Sequence, residues 1–460
     1  MAGSVGPPGV SRSFYRCLGV ISSTIWMTFT GFAQIQGSAG QEGTKPFTAT
    51  VALREGYDSN PLTAPYSSTS DIISSTYTSV QPSLGYNYLG LQADAALRYD
   101  FVGTYWPSIN QSYDLQYSHT FIGRFTYAFD PRFSMTVADN FLYSEQPLPQ
   151  LVTEGLAPIT QVNGFINNLG TIQADYRVSD RLSMVTRWNN TLVNSDSLGA
   201  YTQTPFDDPA TIDSGSNAQS NYMNNGARQE FRLDFTPETV GLFIFDYQIY
   251  DYAQDSGSWR DNQQVKIELG AEHTFLPELF FRGSAGIQLN DNFGLKDDPD
   301  VISPGGLGSG ELEITADPSA NLAATWNYED RSFASVGFSV AVQQSSINNF
   351  SDSEAYTFNL NWDHQFTEKF SVIQSFFVNL AMFTPELNKE QAAAIGVAYQ
   401  GSGQQTTVQY QCRFAYQFWP YLSAEFGWNY TSFGSYFDEN NGTNNNYTRN
   451  QVYLGVRGTY

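Results

Sequence analysis

The stretch Ser79-Val80-Gln81-Pro82-Ser83-Leu84-Gly85-Tyr86-Asn87-Tyr88-Leu89-Gly90-Leu91-Gln92-Ala93-Asp94-Ala95-Ala96-Leu97-Arg98-Tyr99-Asp100-Phe101 decides the fold. Val80, Pro82, Leu84, Tyr86 and Tyr88 take every second position, and Ser79, Gln81, Ser83, Gly85 and Asn87 take the positions between. Beyond Leu89-Gly90 the alternation resumes, with Leu91, Ala93, Ala95, Leu97, Tyr99 and Phe101 against Gln92, Asp94, Arg98 and Asp100. Successive side chains of a strand point to opposite faces, so each arm has one apolar and one polar face. A short glycine turn between them makes one hairpin.

The same unit recurs along the chain. Its turns read Tyr88-Leu89-Gly90-Leu91, Phe129-Asp130-Pro131-Arg132, Val178-Ser179-Asp180-Arg181, Phe235-Thr236-Pro237-Glu238, Phe275-Leu276-Pro277-Glu278, Tyr328-Glu329-Asp330-Arg331, Phe366-Thr367-Glu368-Lys369 and Phe418-Trp419-Pro420-Tyr421. Roughly 40 to 60 residues separate consecutive turns, enough for two strands and a longer polar loop, which is the rhythm of a transmembrane β-barrel. One strand at 47–57, a pair around each turn and a last strand at 449–460 give 18. Segment 384–404 reads as either a strand or loop, which leaves 16 or 20 open. The polar connections near 58–74, 146–163, 195–221, 291–311 and 436–448 are expected on the outer side. Pro82 and Pro318 fall inside strands, where each removes a ladder hydrogen bond, so a bulge or a shifted boundary is expected at both. A β-propeller also repeats at about 40 residues, but its blades hold four short strands and carry a signature absent here.

Composition agrees with a membrane wall. Only 15% of the residues are charged and 15% are aromatic, against about 25% charged in a soluble domain. No apolar run after the N-terminus reaches ~18 residues, so spanning helices are excluded. An edge-free sheet is the other structure that pairs every backbone group in lipid. The expected fold is therefore all-β: a transmembrane antiparallel up-and-down barrel over 46–460.

Arg12 and Arg16, the apolar Leu18–Phe32 segment and Gly31-Phe32-Ala33 read as a cleavable signal peptide spanning 1–33, followed by a short periplasmic segment at 34–45. Cleavage after Ala39 is the alternative, and Cys17 precedes the apolar run and so does not suit a lipoprotein. The full chain carries −23. Without residues 1–33, 20 basic side chains face 45 acidic ones, a net −25, which argues against nucleic acid as a partner. Cys412 would then stand alone, so no internal disulfide is expected.

An 18-stranded barrel is wide enough for an aqueous channel, so lumen parity should carry function. It selects Asp94, Arg98, Asp100, Asp114, Arg124, Glu230, Arg232, Asp234, Lys266, Glu268, Arg282, Arg413, Glu425 and Arg457 as pore-lining charges. Opposed charges would orient polar solutes, and an excess of acid would favour cations. The alternative is that these charges pair across strands and stiffen the wall.

His119, His273 and His364 fall on lipid parity without a nucleophile or acid two residues away, so no enzyme activity is expected. Tyr86, Tyr88, Tyr127, Phe129, Phe275, Trp326, Tyr328, Phe366, Tyr416, Phe418 and Trp419 are expected to form a girdle on the periplasmic side. Few aromatics are expected in the lumen. Asp291, Asp297, Asp298 and Asp300 lack the ligand spacing of an EF-hand, and no cofactor or metal is expected.

The last strand places Val452, Leu454, Val456, Gly458 and Tyr460 on one face and ends on an aromatic residue. It resembles the C-terminal assembly signal of bacterial outer-membrane barrels. With the early Arg54-Glu55-Gly56-Tyr57-Asp58-Ser59-Asn60-Pro61 stretch, the chain resembles β-barrel porins of Gram-negative bacteria, some of which accompany polysaccharide-export systems. The resemblance implies an outer-membrane protein exported through the periplasm. Its implied partners are outer-membrane lipid, the barrel-assembly machinery and small hydrophilic solutes or polysaccharide. The expected function is passive diffusion of small hydrophilic solutes, cationic or neutral. The alternatives are a barrel for exopolysaccharide export or surface anchoring, then a barrel enzyme acting on lipid or peptide.

Overall fold

The structure, a computed structural model, describes residues 45–61, 72–109, 114–145, 165–195, 222–252, 261–291, 314–344, 352–384, 401–438 and 446–460. They form eighteen strands: β1 Phe47–Asp58, β2 Ser75–Leu89, β3 Ala93–Tyr105, β4 Leu115–Asp130, β5 Phe133–Ser144, β6 Phe165–Arg177, β7 Leu182–Ser195, β8 Tyr222–Asp234 and β9 Thr239–Tyr252. The rest are β10 Asn262–Leu276, β11 Leu279–Asp291, β12 Thr315–Glu329, β13 Ser332–Gln344, β14 Asp352–Thr367, β15 Phe370–Phe383, β16 Gly403–Trp419, β17 Leu422–Phe437 and β18 Tyr447–Thr459. Each pairs antiparallel with its neighbours in sequence, and β1 pairs with β18 from Thr50↔Thr459 to Asp58↔Gln451. The sheet therefore closes on itself. The 18-strand expectation holds. The candidate signal peptide, Ala392–Tyr399 and the acids at 297–300 lie outside the described residues.

Parity sorts the side chains as the alternation predicts. On β1, Val51, Leu53 and Tyr57 are exposed on the outside, while Ala52 and Asp58 are buried on the inside. Leu84, Leu269 and Leu454 are 60%, 68% and 66% exposed on the outer surface. Apolar side chains all around the outside of a closed sheet form the band that faces hydrocarbon, so this barrel spans a membrane.

The short turns at one end are set by local side-chain acceptors. Asp130 Oδ1 accepts from the backbone N–H of Arg132 at 2.6 Å and Phe133 at 2.9 Å. Ser179 Oγ does the same for Leu182, and Thr367 Oγ1 for Phe370, each at 3.1 Å. Asp, Ser and Thr in a turn mimic a backbone carbonyl this way. Irregularities in pairing occur next to these turns, as at Ala128/Asp130 and Gln365/Thr367.

The outward aromatics beside the turns stack into a girdle. Trp362 lies flat on His364 at 5.5 Å, and Phe366 meets the His364 ring at 4.3 Å and Phe370 at 5.6 Å. Tyr127 and Phe129 are 4.8 Å apart. All three histidines face outward and bond hydroxyls: His119 with Tyr99 and His273 with Thr239, both 2.8 Å, and His364 with Tyr328 at 3.0 Å.

Neither proline produces a bulge, the first of the two expected outcomes, whereas a shifted ladder boundary does occur at Pro318. Around Pro82 the β2–β3 ladder lapses between Val80↔Gly103 and Ser83↔Asp100, but the register is unchanged on either side. A proline removes one donor without inserting a residue, so pairing is interrupted and not displaced. At Pro318 the consequence is larger. β12 stays paired to β11 through Pro318↔Ile287, but its ladder with β13 begins only at Ala320↔Val340. Beyond that point β13 parts from β12 and remains paired to β14 as far as Gln344↔Asp352.

The freed end of β13 leans into the mouth of the barrel. Val342 and Gln344 lie on outward parity yet are buried. The Val342 carbonyl accepts from Gln288 Nε2 of β11 at 3.2 Å. Gln344 Oε1 accepts from Tyr252 Oη of β9 at 2.8 Å and from Asn262 Nδ2 of β10 at 2.9 Å. Tyr252 and Asn262 belong to the inner face, so the upper β13–β14 hairpin is folded across the lumen end of β9–β11.

Candidate lumen site

Beside the buried Arg449–Asp58 pair at the seam, the inward charges collect into three ion-paired groups. The largest spans β8, β10 and β11. Arg232 Nη1 and Arg282 Nη2 reach Glu230 at 3.1 and 2.7 Å, and Arg228 reaches it at 3.3 Å. Arg282 Nη1 also meets Glu272 at 2.6 Å, and Arg232 donates to the same carboxylate. Three guanidinium groups thus surround two carboxylates. Nearby, Glu268 accepts from Ser284 at 2.9 Å and from Ser319, with Lys266 3.8 Å away.

The second group closes the seam. Glu425 of β17 takes Arg54 of β1 at 2.9 Å, Arg457 of β18, and Arg413 of β16 at 3.9 Å. Here three cations share one carboxylate. Arg54 also lies 4.5 Å over the Tyr453 ring, a cation–π contact that strengthens where water is excluded. The third group is simpler: Arg98 with Asp100 and Arg124 with Asp94, both at 2.9 Å.

Twelve of the fourteen charges selected by parity therefore sit in these groups. Asp234 closes β8 at the turn end, outside them. Asp114 lies one residue before β4, which begins at Leu115, and its carbonyl accepts the Trp106 N–H at 2.7 Å. Arg54, Arg228 and Glu272 were missed by sequence, although Arg228 shares parity with Glu230 on β8 and Glu272 with Glu268 on β10. Asp246 was missed as well; it lies 3.8 Å from Arg228.

The expectation of few lumen aromatics is also overturned. Tyr77, Trp106, Ile109 and Tyr453 form a buried cluster near the long-loop end, and Tyr222 and Tyr252 another with Tyr250 against it. Gly56 sits between Tyr77 and Tyr453 in the pairing of β2, β1 and β18. A Cβ there would fall 2.6 Å from the Tyr77 ring, so glycine is what lets that tyrosine lie against the wall. The signal was available: Tyr77 is two residues before Ser79, and Tyr453 two after Gln451.

No protein-family model matches the chain, and no curated protein matches its sequence. Among solved structures it resembles the outer membrane protein OpdK from Pseudomonas aeruginosa (TM-score 0.40, 9% identity, 90% of this chain and 99% of that one). It also resembles the siderophore receptor PirA from Acinetobacter baumannii (TM-score 0.42, 7% identity, 91% and 81%). A third is a mutant of the ferric enterobactin receptor PfeA from Pseudomonas aeruginosa (TM-score 0.41, 8% identity, 91% and 81%).

Proposed function

We propose that this chain is an outer-membrane channel through which small hydrophilic solutes diffuse passively. The observation that carries the proposal is the pairing of a closed 18-strand wall, apolar outside, with an inner face of ion pairs and carboxamides. Eighteen strands leave room for an aqueous path, and the β13–β14 hairpin narrows it at one mouth. Most inner charges are matched by a partner on a neighbouring strand, which keeps the net field along the path small. Small neutral solutes and cations are the favoured cargo. No catalytic role is proposed, since each described histidine bonds a hydroxyl on the outer face.

The buried tyrosines of the inner face favour a second reading, passage of a neutral saccharide polymer. Aromatic faces and carboxamides together suit hydroxyl-rich ligands. The two readings separate in planar bilayers. The refolded barrel is expected to give open-channel current with weak cation preference. A folded barrel without conductance, or with strong anion preference, overturns the diffusion reading. Block of that current by a neutral linear oligosaccharide would favour the saccharide path.

A further inference from the structure

The outer face carries one polar stripe that the hydrocarbon does not explain. Directly paired residues of neighbouring strands share a face, and the pairs Gly123↔Asp139, Asp139↔Gly170, Gly170↔Asn190 and Asn190↔Asn225 trace a single row across β4–β8. Asn168 lies two residues from Gly170, on the same face. Asp139 is six residues from one end of β5 and five from the other, so it faces the middle of the membrane. Among the described residues, the other outward acids of the strands, such as Glu55, Asp251 and Glu354, lie within three residues of a strand end.

On the opposite wall the comparable row is apolar: Leu269↔Ala285, Ala285↔Ala320, Ala320↔Val340, Val340↔Tyr356 and Tyr356↔Leu380. The stripe is thus local to one side. Its groups are only partly satisfied within the barrel. Asn168 Nδ2 donates to Asp139 Oδ1 at 3.2 Å, and Asn190 Nδ2 to Asn225 Oδ1 at 2.9 Å. A carboxylate has room for several donors, and Asp139 has this one side-chain donor among the described residues. Acyl chains offer none, and lipid headgroups lie well above mid-wall.

The glycines of the row point the same way. A Cβ at Gly427 would fall 2.1 Å from the Tyr453 ring, but at Gly170 nothing lies nearer than 3.7 Å and at Gly123 nothing nearer than 3.4 Å. The barrel's own packing does not demand glycine at 123 or 170. They leave a shallow trough beside the polar groups, where another backbone can approach closely.

We propose that the β4–β8 face is the contact between two copies of this chain in the membrane. The face is its own complement. Each copy presents a carboxylate that accepts and the carboxamides of Asn168 and Asn225 that donate, so one copy's amides can satisfy the other's Asp139. Asn190, whose Nδ2 bonds both Asn225 and the Asn224 carbonyl, holds Asn225 in place. The inference rests on the wall facing lipid and is independent of what the lumen carries.

Purified protein in phosphatidylcholine–phosphatidylglycerol liposomes tests it. In a Cys412→Ser background, Asn190→Cys is expected to give a disulfide-linked species of twice the chain mass on mild oxidation. Leu269→Cys, on the apolar wall, is expected to give none. Native mass spectrometry of the unaltered protein in mild detergent should show multiples of the chain, shifted to single chains by Asp139→Leu with Asn190→Leu. Heat-modifiable migration on gels verifies that each variant is folded. Single chains for the unaltered protein together with no Asn190→Cys product, or equal cross-linking at both positions, overturns the proposal.

Discussion

Arg449 of β18 grips Asp58 of β1 across the closing seam, with Nη2 2.6 Å and Nε 3.0 Å from Oδ2. Both side chains are buried, and the same carboxylate accepts from Gln451 at 2.8 Å and from the Asn60 N–H at 3.0 Å. Ser59 adds a backbone bond to the Asn450 carbonyl at 2.9 Å. The Tyr57-Asp58-Ser59-Asn60 run is therefore a clasp that fastens the first strand to the last. Its position explains why a polar motif stands at the end of an otherwise alternating strand.

Removing one partner of this pair leaves a buried charge with no counter-ion, which typically costs about 3–5 kcal/mol. Asp58→Ala is expected to lower the urea midpoint of the barrel in micelles by a corresponding amount. Arg449→Met with Asp58→Leu should lose much less, because neither charge then remains to be desolvated. Equal losses in the single and double variants would refute the clasp.

Gly427 and Tyr453 offer a steric test. Gly427→Ala would place a methyl group about where the Tyr453 ring lies, 2.1 Å from its Cζ. The ring must swing away and lose its contact with Arg54. Overpacking of this kind costs about 1–3 kcal/mol, read as a lower unfolding midpoint. Tyr453→Ala in the same chain should recover part of the loss.

Much of this architecture is legible in the sequence because period-2 alternation and turn chemistry are local. The strand pair around Gly90 could be placed from twenty residues, and parity alone put Glu230, Arg232 and Arg282 on the inner face. Partnership was not legible. Arg54 and Glu425 are 371 residues apart and meet only because the first and last strands close the sheet. Pro318 was visible as an irregularity, yet its effect depends on which neighbour loses a ladder bond, and pairing registers are not written locally. The lumen aromatic clusters were not legible because Tyr77, Trp106 and Tyr453 are far apart in sequence and meet only where β2, β1 and β18 are neighbours.

Where β13 parts from β12, Gln344 holds the freed hairpin to Tyr252 and Asn262. Gln344→Ala removes those bonds and is expected to raise single-channel conductance and current noise, as the hairpin is released from the mouth. Pro318→Val restores a backbone donor and should extend the β12–β13 ladder, raising conductance without added noise. Unchanged conductance in both would show that the hairpin does not limit the path.

Asp261, immediately before β10, should make the outer end of β9–β10 sensitive to pH. Its carboxyl is pushed up to about 6, first by burial and further by Asp251, against the Tyr252 N–H that it accepts at 2.8 Å. The folded state thus holds this proton more tightly than the unfolded chain, whose carboxyl titrates near about 4. The contribution to stability is full below about pH 4 and is lost as pH rises through about 6. The unfolding midpoint of the barrel should fall across that window, and Asp261→Asn should flatten the profile.

Glu425 tempers the positive field at the seam, because it is the one carboxylate that Arg54, Arg413 and Arg457 share among the described contacts. Glu425→Gln would leave three guanidinium groups facing one stretch of lumen, with nothing left to offset part of their charge. Reversal potentials in a potassium chloride gradient should then move toward anion preference. Arg54→Gln in the same chain should move them back. The shift should shrink as salt is raised, since exposed charges are screened over about 10 Å at 0.1 M. A wild-type reversal potential in Glu425→Gln would place this cluster away from the conducting path and assign it to wall stiffness alone.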